Sequence, residues 1–301
     1  MSLAAPIRGW YTHAMAASDD SRPMTPQEHI AAQKKRRQAL EAAFESAEAI
    51  DILGVVAASG SSGSRFGGME DWCLGSTLEV WRVEGGELET APLRLERYMP
   101  EHELEAWRAR LRPYAIVRVR ARLVRDPLFR WPHARLESVS TEAVADPELE
   151  AHATRLQAPV VFEDPELGRF ELQRAIRWFA GNADWLGPRA RLTLRGTELE
   201  EVRAAADHAR RLRASWHEWV ERLTQAAARE LLSVKNAHWL EDDEEPMSEA
   251  AFRACMTPES LGVEADGSFN VFFDDGGIFA GHAIVVYADL AKGPTRVNLY
   301  G

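Results

Sequence analysis

The chain has 301 residues, 46% apolar and 28% charged, which suits a soluble globular protein large enough for two cores. A net charge of −11 argues against general binding to nucleic acid or to a membrane surface, and two cysteines far apart, Cys73 and Cys255, argue against a disulfide scaffold or a thiolate zinc site. With no run of about 18 apolar residues and no apolar signal core near the N-terminus, a cytoplasmic protein without a membrane span is expected.

Residues 1–24 show no periodicity and read as a flexible tail. Thr25 to Glu28 is a capping box, with Thr25 as N-cap, Pro26 in the first turn and Glu28 reaching back, so a helix is expected over 25–50. Its Lys34–Arg37 run wraps round the helix rather than forming one face, as a solvated surface does.

Residues 51–145 read as a small β-barrel domain. A strand opens it near Asp51, and the glycine- and serine-rich stretch Ser59–Gly68 follows as a loop. That loop lacks the Gly-Lys-Ser/Thr ending of a phosphate cradle. Further strands are expected at Leu78–Val83, Leu88–Leu95, Ala115–Val124 and Ala134–Val139, with a turn at Gly85–Gly86. Leu104, Trp107 and Leu111 have helical spacing. This order is compatible with a five-stranded barrel of the oligonucleotide-binding (OB) type.

Asp146 to Ala158 reads as a linker or short helix. The last domain, 157–301, begins with strand patterns in Val160–Glu163, Gly168–Gln173, Ala175–Gly181 and Ala190–Gly196. One long helix is then expected from Glu198 to about Leu232. Its apolar stripe is Leu199, Val202, Ala206, Ala209, Leu212, Trp216, Trp219, Val220, Leu223 and Leu231. Glu241–Pro246 is an acidic loop, and Ser248 caps a shorter helix to Met256. Asp266 to Gly301 is a meander in which Phe269, Val271 and Phe273 alternate with polar positions, Asp274–Gly277 turns, and Arg296–Tyr300 closes. The fold class is α+β: an N-terminal helix, an OB-like barrel, then an antiparallel sheet covered by one long helix, with the two strand groups joining into one sheet.

Asp274, Asp275 and His282 are the compact set of catalysis-capable side chains. Carboxylates and imidazole carry protons and ligate metals, and the same three residues also read as turn chemistry. Asn236 is placed as a helix C-cap, and His238 and Trp239 beside it are binding candidates. Arg118, Arg120 and Arg122 share one face of the strand 115–124, with Trp131 near in sequence. From Arg94 to Arg135 there are eleven arginines against five acidic residues. Such a face suits a single nucleic-acid strand, or it pairs with carboxylates such as Glu96, Glu101, Glu103 and Glu105. There is no H-E-x-x-H, G-x-S-x-G or G-x-G-x-x-G motif, and no metal or cofactor is expected.

The segments GRFELQRAIRWFAG, LLSVKNAHWL and DGSFNVFFDDGGIFAGHAIVVYADL resemble an uncharacterised bacterial domain-of-unknown-function family over roughly 159–301. The Phe-Asp-Asp-Gly turn followed by Phe-x-Gly-His-x-Ile-x-Val is the most specific part. The resemblance implies a bacterial cytoplasmic protein with a small β-domain in front, and it transfers no catalytic residue. Similar domains occur among toxin-immunity and accessory proteins, which points to a non-catalytic role in binding another protein. The alternatives are a metal-assisted hydrolase or phosphoesterase built on Asp274, Asp275 and His282, and single-strand nucleic-acid binding on the arginine face.

Overall fold

The computed structural model describes residues 25–65, 70–125, 129, 131–140, 142–196, 198–240 and 244–300. The chain divides into two compact units, with the boundary between Ala158 and Pro159.

The first unit is a closed five-stranded barrel. Its strands are β1 (Ala49–Ser64), β2 (Trp72–Val83), β3 (Leu93–Met99), β4 (Ile116–Val124) and β5 (His133–Val139), in the order β1-β2-β3-β5-β4. β3 and β5 pair in parallel, and the helix between β3 and β4 is α2 (Glu101–Arg110). Alternation fills the interior with Leu74, Leu78, Leu93, Leu95, Val117, Val119, Ala121 and Leu136. Gly54 sits where β1 runs closely against β2. A Cβ there would lie 2.8 Å from the Val80 carbonyl oxygen and 2.9 Å from Trp81 Cβ.

Helix α1 (Pro26–Ser46) starts on the Thr25–Glu28 box and ends before Ile50, because Ala49 and Ile50 already belong to β1. β1 also runs through Ser59–Ser64, expected as loop. Register shifts after Val55 and Val56 let those small residues re-pair with β2 as far as Ser64–Cys73. β3 starts at Leu93 rather than Leu88; the segment before it is held to β2 by the isolated Trp81–Glu89 bridge and by the Trp81 indole, which donates to the Ala91 carbonyl at 2.8 Å. Helix α3 (Pro147–Gln157), capped by Asp146, buries Leu149 and Ala153 against Leu53, Val55 and Val80, so it is part of this unit.

The second unit is one eight-stranded sheet. It comprises β6 (Val161–Asp164), β7 (Gly168–Gln173), β8 (Trp178–Asn182), β9 (Arg191–Arg195), β10 (Thr257–Val263), β11 (Ser268–Asp274), β12 (Ala283–Asp289) and β13 (Gly293–Tyr300), lying side by side in chain order. All pairs are antiparallel except β9–β10. A parallel pair needs a long crossover. Here it consists of α4 (Leu199–Ala214), α5 (Trp216–His238) and α6 (Glu249–Cys255).

The single long helix of the sequence reading is thus two. Ser215, with φ −126° and ψ 30°, leaves the helical region, which lets α4 pack over β9 and β10 while α5 packs over β12, β13 and α6. Trp216 and Trp219 start the second helix. Trp216 meets Trp185, and Trp219 meets Phe269 edge-to-face with ring centres 5.0 Å apart. Leu199, expected on the buried stripe, is 51% exposed; the stripe begins at Val202. The helices cover the sheet face bearing Phe170, Phe179, Leu192, Leu194, Leu261, Val271, Phe273, Ile284 and Val286.

Candidate functional site

The Asp274–His282 stretch is a turn held by its own carboxylates. Asp274 Oδ1 accepts the Gly276 N–H at 2.8 Å. Asp275 is 2% exposed, and its two oxygens accept the Gly277 N–H at 2.9 Å and the Phe279 N–H at 2.6 Å. The turn needs positive φ at Gly276 and Gly277, 61° and 84°, and a Cβ on Gly276 would come within 2.9 Å of the Cys255 carbonyl oxygen. His282 is half-buried, and its ring meets Trp239 edge-to-face at 5.4 Å. Trp239 also meets Phe279 at 5.6 Å. The fold therefore brings Trp239 to His282, while His238 points to solvent in the last turn of α5. Among the described residues no group of three or more His, Cys, Asp or Glu side chains is placed to hold a metal ion.

Asn236 is not the cap of α5; Trp239 holds that position. One turn inside the helix, Asn236 instead brackets Met247, donating to its carbonyl at 3.0 Å and accepting its N–H at 2.9 Å. Its neighbour Lys235, 4% exposed, donates to the Trp239 carbonyl and to Glu244, both at 2.7 Å. Together they tie down both ends of the acidic segment.

On the barrel, each arginine of the stripe has an acidic partner. Arg118 pairs with Glu84 at 3.0 Å, Arg120 with Asp51 at 2.8 Å and Arg122 with Glu137 at 2.8 Å. Arg122 also donates to the Ala47 carbonyl at the C-terminus of α1, where a cation is favoured. Trp131 lies under Arg94, 4.8 Å from its ring centre. Arg37 and Arg135 share Glu96, and Arg135 also binds Glu41 at 2.6 Å. Burial and the neighbouring Cys73 push the Tyr98 phenol beside them up to about 12. Helix α1 therefore lies across the outside of β3, β5 and β4, with Leu40 and Phe44 on Val124.

The sheet face turned away from the helices carries a cross-strand row that sequence reading did not assemble. Registered partners run Trp178–Arg195 across β8 and β9, and Gly262–Asn270, Asn270–Tyr287 and Tyr287–Arg296 from β10 to β13. Arg195 lies over the Trp178 ring at 4.3 Å, donates to Glu264 at 2.7 Å and spans Gly262 to reach Asn270 Oδ1 at 2.7 Å. A Cβ on Gly262 would stand 3.0 Å from that guanidinium and 2.8 Å from the Asn270 oxygen, so glycine keeps the span open. Farther along, Arg296 lies over Tyr287 at 4.1 Å, and the Tyr287 and Tyr300 hydroxyls are 2.9 Å apart. Burial raises the Tyr287 pKa; the hydrogen bond from Tyr287 lowers that of Tyr300. A pocket of about 460 Å³ opens over this row, lined among others by Arg195, Asn270, Tyr287, Lys292, Thr295 and Arg296. The alternation of Ser268, Asn270 and Phe272 marks this face in the sequence; its partners on β8, β9 and β13 are not marked.

The two units define a class: an OB-type barrel followed by an α+β unit on a single eight-stranded sheet. Residues 164–299 match a family described as "Uncharacterized protein conserved in bacteria (DUF2262)", a span from the edge strand β6 into β13. Residues 36–156 match a second family, described as "Domain of unknown function (DUF7021)", which takes in most of α1, the barrel and α3. A search of curated proteins found no match. Among the described residues no helix is long and apolar enough to cross a membrane.

Proposed function

We propose that the protein is a non-catalytic cytoplasmic binding protein, of the immunity-like or accessory kind, whose partner is another protein. The observation that carries this reading is the open face of the sheet. Trp178, Phe272, Tyr287 and Tyr300 stand there with Arg195 and Arg296, residue types enriched at protein–protein interfaces. The unpaired thiols of Cys73 and Cys255 suit a reducing compartment. The two alternatives draw less support. The Asp274 and Asp275 carboxylates hold their own turn, and Arg118, Arg120 and Arg122 are each ion-paired.

A photo-crosslinking residue placed at Phe272, with one at Arg118 as control, tests the reading in the native host. An adduct with one defined protein from position 272 and none from 118 is the expected result. Adducts from neither position, with a metal-dependent phosphoesterase activity that Asp274→Ala abolishes without lowering the melt, would replace it with the hydrolase reading.

A further inference from the structure

β13 is the last strand of the sheet, and among the described residues no strand pairs with its outer side. An open edge presents a row of unpaired N–H and C=O groups, which is the template that strand addition uses. Thr295, Arg296 and Tyr300 on β13 are exposed. Arg296, Asn298 and Tyr300 alternate onto the open face, so a guanidinium, an amide and a phenol would flank an incoming strand.

The adjoining pocket is lined by three acids, Glu264, Asp266 and Asp289, and three cations, Arg195, Lys292 and Arg296. Its acids are engaged: Glu264 with Arg195 at 2.7 Å, Asp266 with the Ser268 N–H and hydroxyl at 2.9 and 2.6 Å, and Asp289 with the N–H groups of Ala291 and Lys292 at 2.8 and 3.0 Å. The hydrogen bonds to Ser268 hold the Asp266 carboxyl below its usual range, and those to Lys292 and Ala291 do the same for Asp289. Its cations are not all engaged. Arg296 rests on Tyr287 with no carboxylate in ion-pair range among the described residues, whereas Lys292, 78% exposed, pairs with Asp289 at 3.9 Å. Those hydrogen bonds leave the Asp266 and Asp289 carboxylates charged, and the cation at the β13 edge that no carboxylate of the described residues reaches is Arg296.

We infer that β13 is the docking edge for an extended acidic segment of a partner protein, which adds a ninth strand to the eight-stranded sheet and sets a carboxylate against Arg296. This rests on the binding reading above and names the chemistry of its partner. Backbone pairing supplies attachment, and the Arg296 fork selects a carboxylate, which it can meet with two parallel hydrogen bonds. Stacking on Tyr287 already restrains Arg296, so less side-chain freedom is lost on binding. A lysine on the incoming strand would face a like charge and be rejected.

The test uses the full chain and two synthetic peptides, one alternating threonine and glutamate, the other threonine and lysine. The glutamate peptide should bind and slow amide hydrogen exchange in residues 295–300, and the lysine peptide should do neither. Arg296→Ala, at an exposed position and checked for an unchanged melt, should weaken binding about tenfold or more, with Arg296→Lys between it and wild type. Binding that leaves β13 exchange unchanged, or that ignores Arg296→Ala, overturns the inference. No peptide binding while the position-272 adducts persist also overturns it, and leaves the broader binding reading standing.

Discussion

Asp275 is 2% exposed and its two oxygens receive the N–H groups of Gly277 and Phe279, whereas Asp274 is exposed and receives one, from Gly276. Removing the buried acceptor leaves two donors without partners. Asp275→Ala should therefore cost about 2–4 kcal/mol, and Asp274→Ala about 1 kcal/mol or less. Thermal or denaturant melts give both values, and equal costs would contradict the turn's division of labour. The neighbouring His282 makes its ring contact with Trp239 rather than with either carboxylate. His282→Ala should cost about 1 kcal/mol, and His282→Phe, which keeps an aromatic edge, should recover most of it. A His282→Ala variant as stable as wild type would count against a packing role. The turn itself is legible in the sequence, because Asp beside Gly-Gly bonds its own backbone within four residues. Its meeting with Trp239, 43 residues before His282, depends on where α5 ends, and no local pattern reports that.

Among its described residues helix α1 buries Leu40 and Phe44, and its attachment to the barrel leans on the Arg37, Glu41, Glu96 and Arg135 network. Burial works against the Glu41 carboxylate, but the hydrogen bond from Arg135 and the charge of Arg37 outweigh it and hold its pKa below 4.5. A folded-state pKa that is depressed means stability fully present above that ordinary value and lost as pH falls through the lower one. Backbone NMR shifts of residues 37–46 should thus stay fixed down to about pH 4.5 and then drift toward unfolded values, ahead of the barrel strands. Glu41→Gln should loosen the helix already at neutral pH and flatten that dependence. A wild-type helix that melts only together with the barrel would refute this.

At this scale, elements with chemical end-markers are legible, as the Thr25 box and the Ser248 cap show. The α4–α5 break is not, because the apolar spacing runs on through Trp216 and Trp219 and Ser215 is no helix breaker. Strand β10 is hidden by Pro258 and Gly262, two strand-averse residues. A register shift beside Pro258 accommodates the first, and the Arg195 span accounts for the second.

At the scale of the whole molecule, no hydrophobic cluster of the described residues shares members across Ala158–Pro159. Leu53, Ile52, Leu95, Phe44 and their neighbours all precede that point, and Phe170, Leu212, Phe252, Val271 and theirs all follow it. Each side also closes its own backbone pairing, the barrel within β1–β5 and the sheet within β6–β13. A unit with its own core and its own ladders, at a length in the ~100–150-residue range of single domains, is expected to fold alone. Residues 25–158 and 159–301 expressed as separate chains should each give dispersed NMR spectra and one cooperative melt. The 159–301 chain should also retain the Tyr287–Tyr300 hydroxyl pair, because both partners and every strand between β6 and β13 lie within it. That pair gives a readout independent of the melt: the Tyr287 phenol should titrate above an ordinary tyrosine, because burial and its hydrogen bond to Tyr300 oppose its ionisation. A piece that melts without cooperativity, or a 159–301 chain whose tyrosines all titrate as free phenols, would mean that the sheet needs the barrel to form.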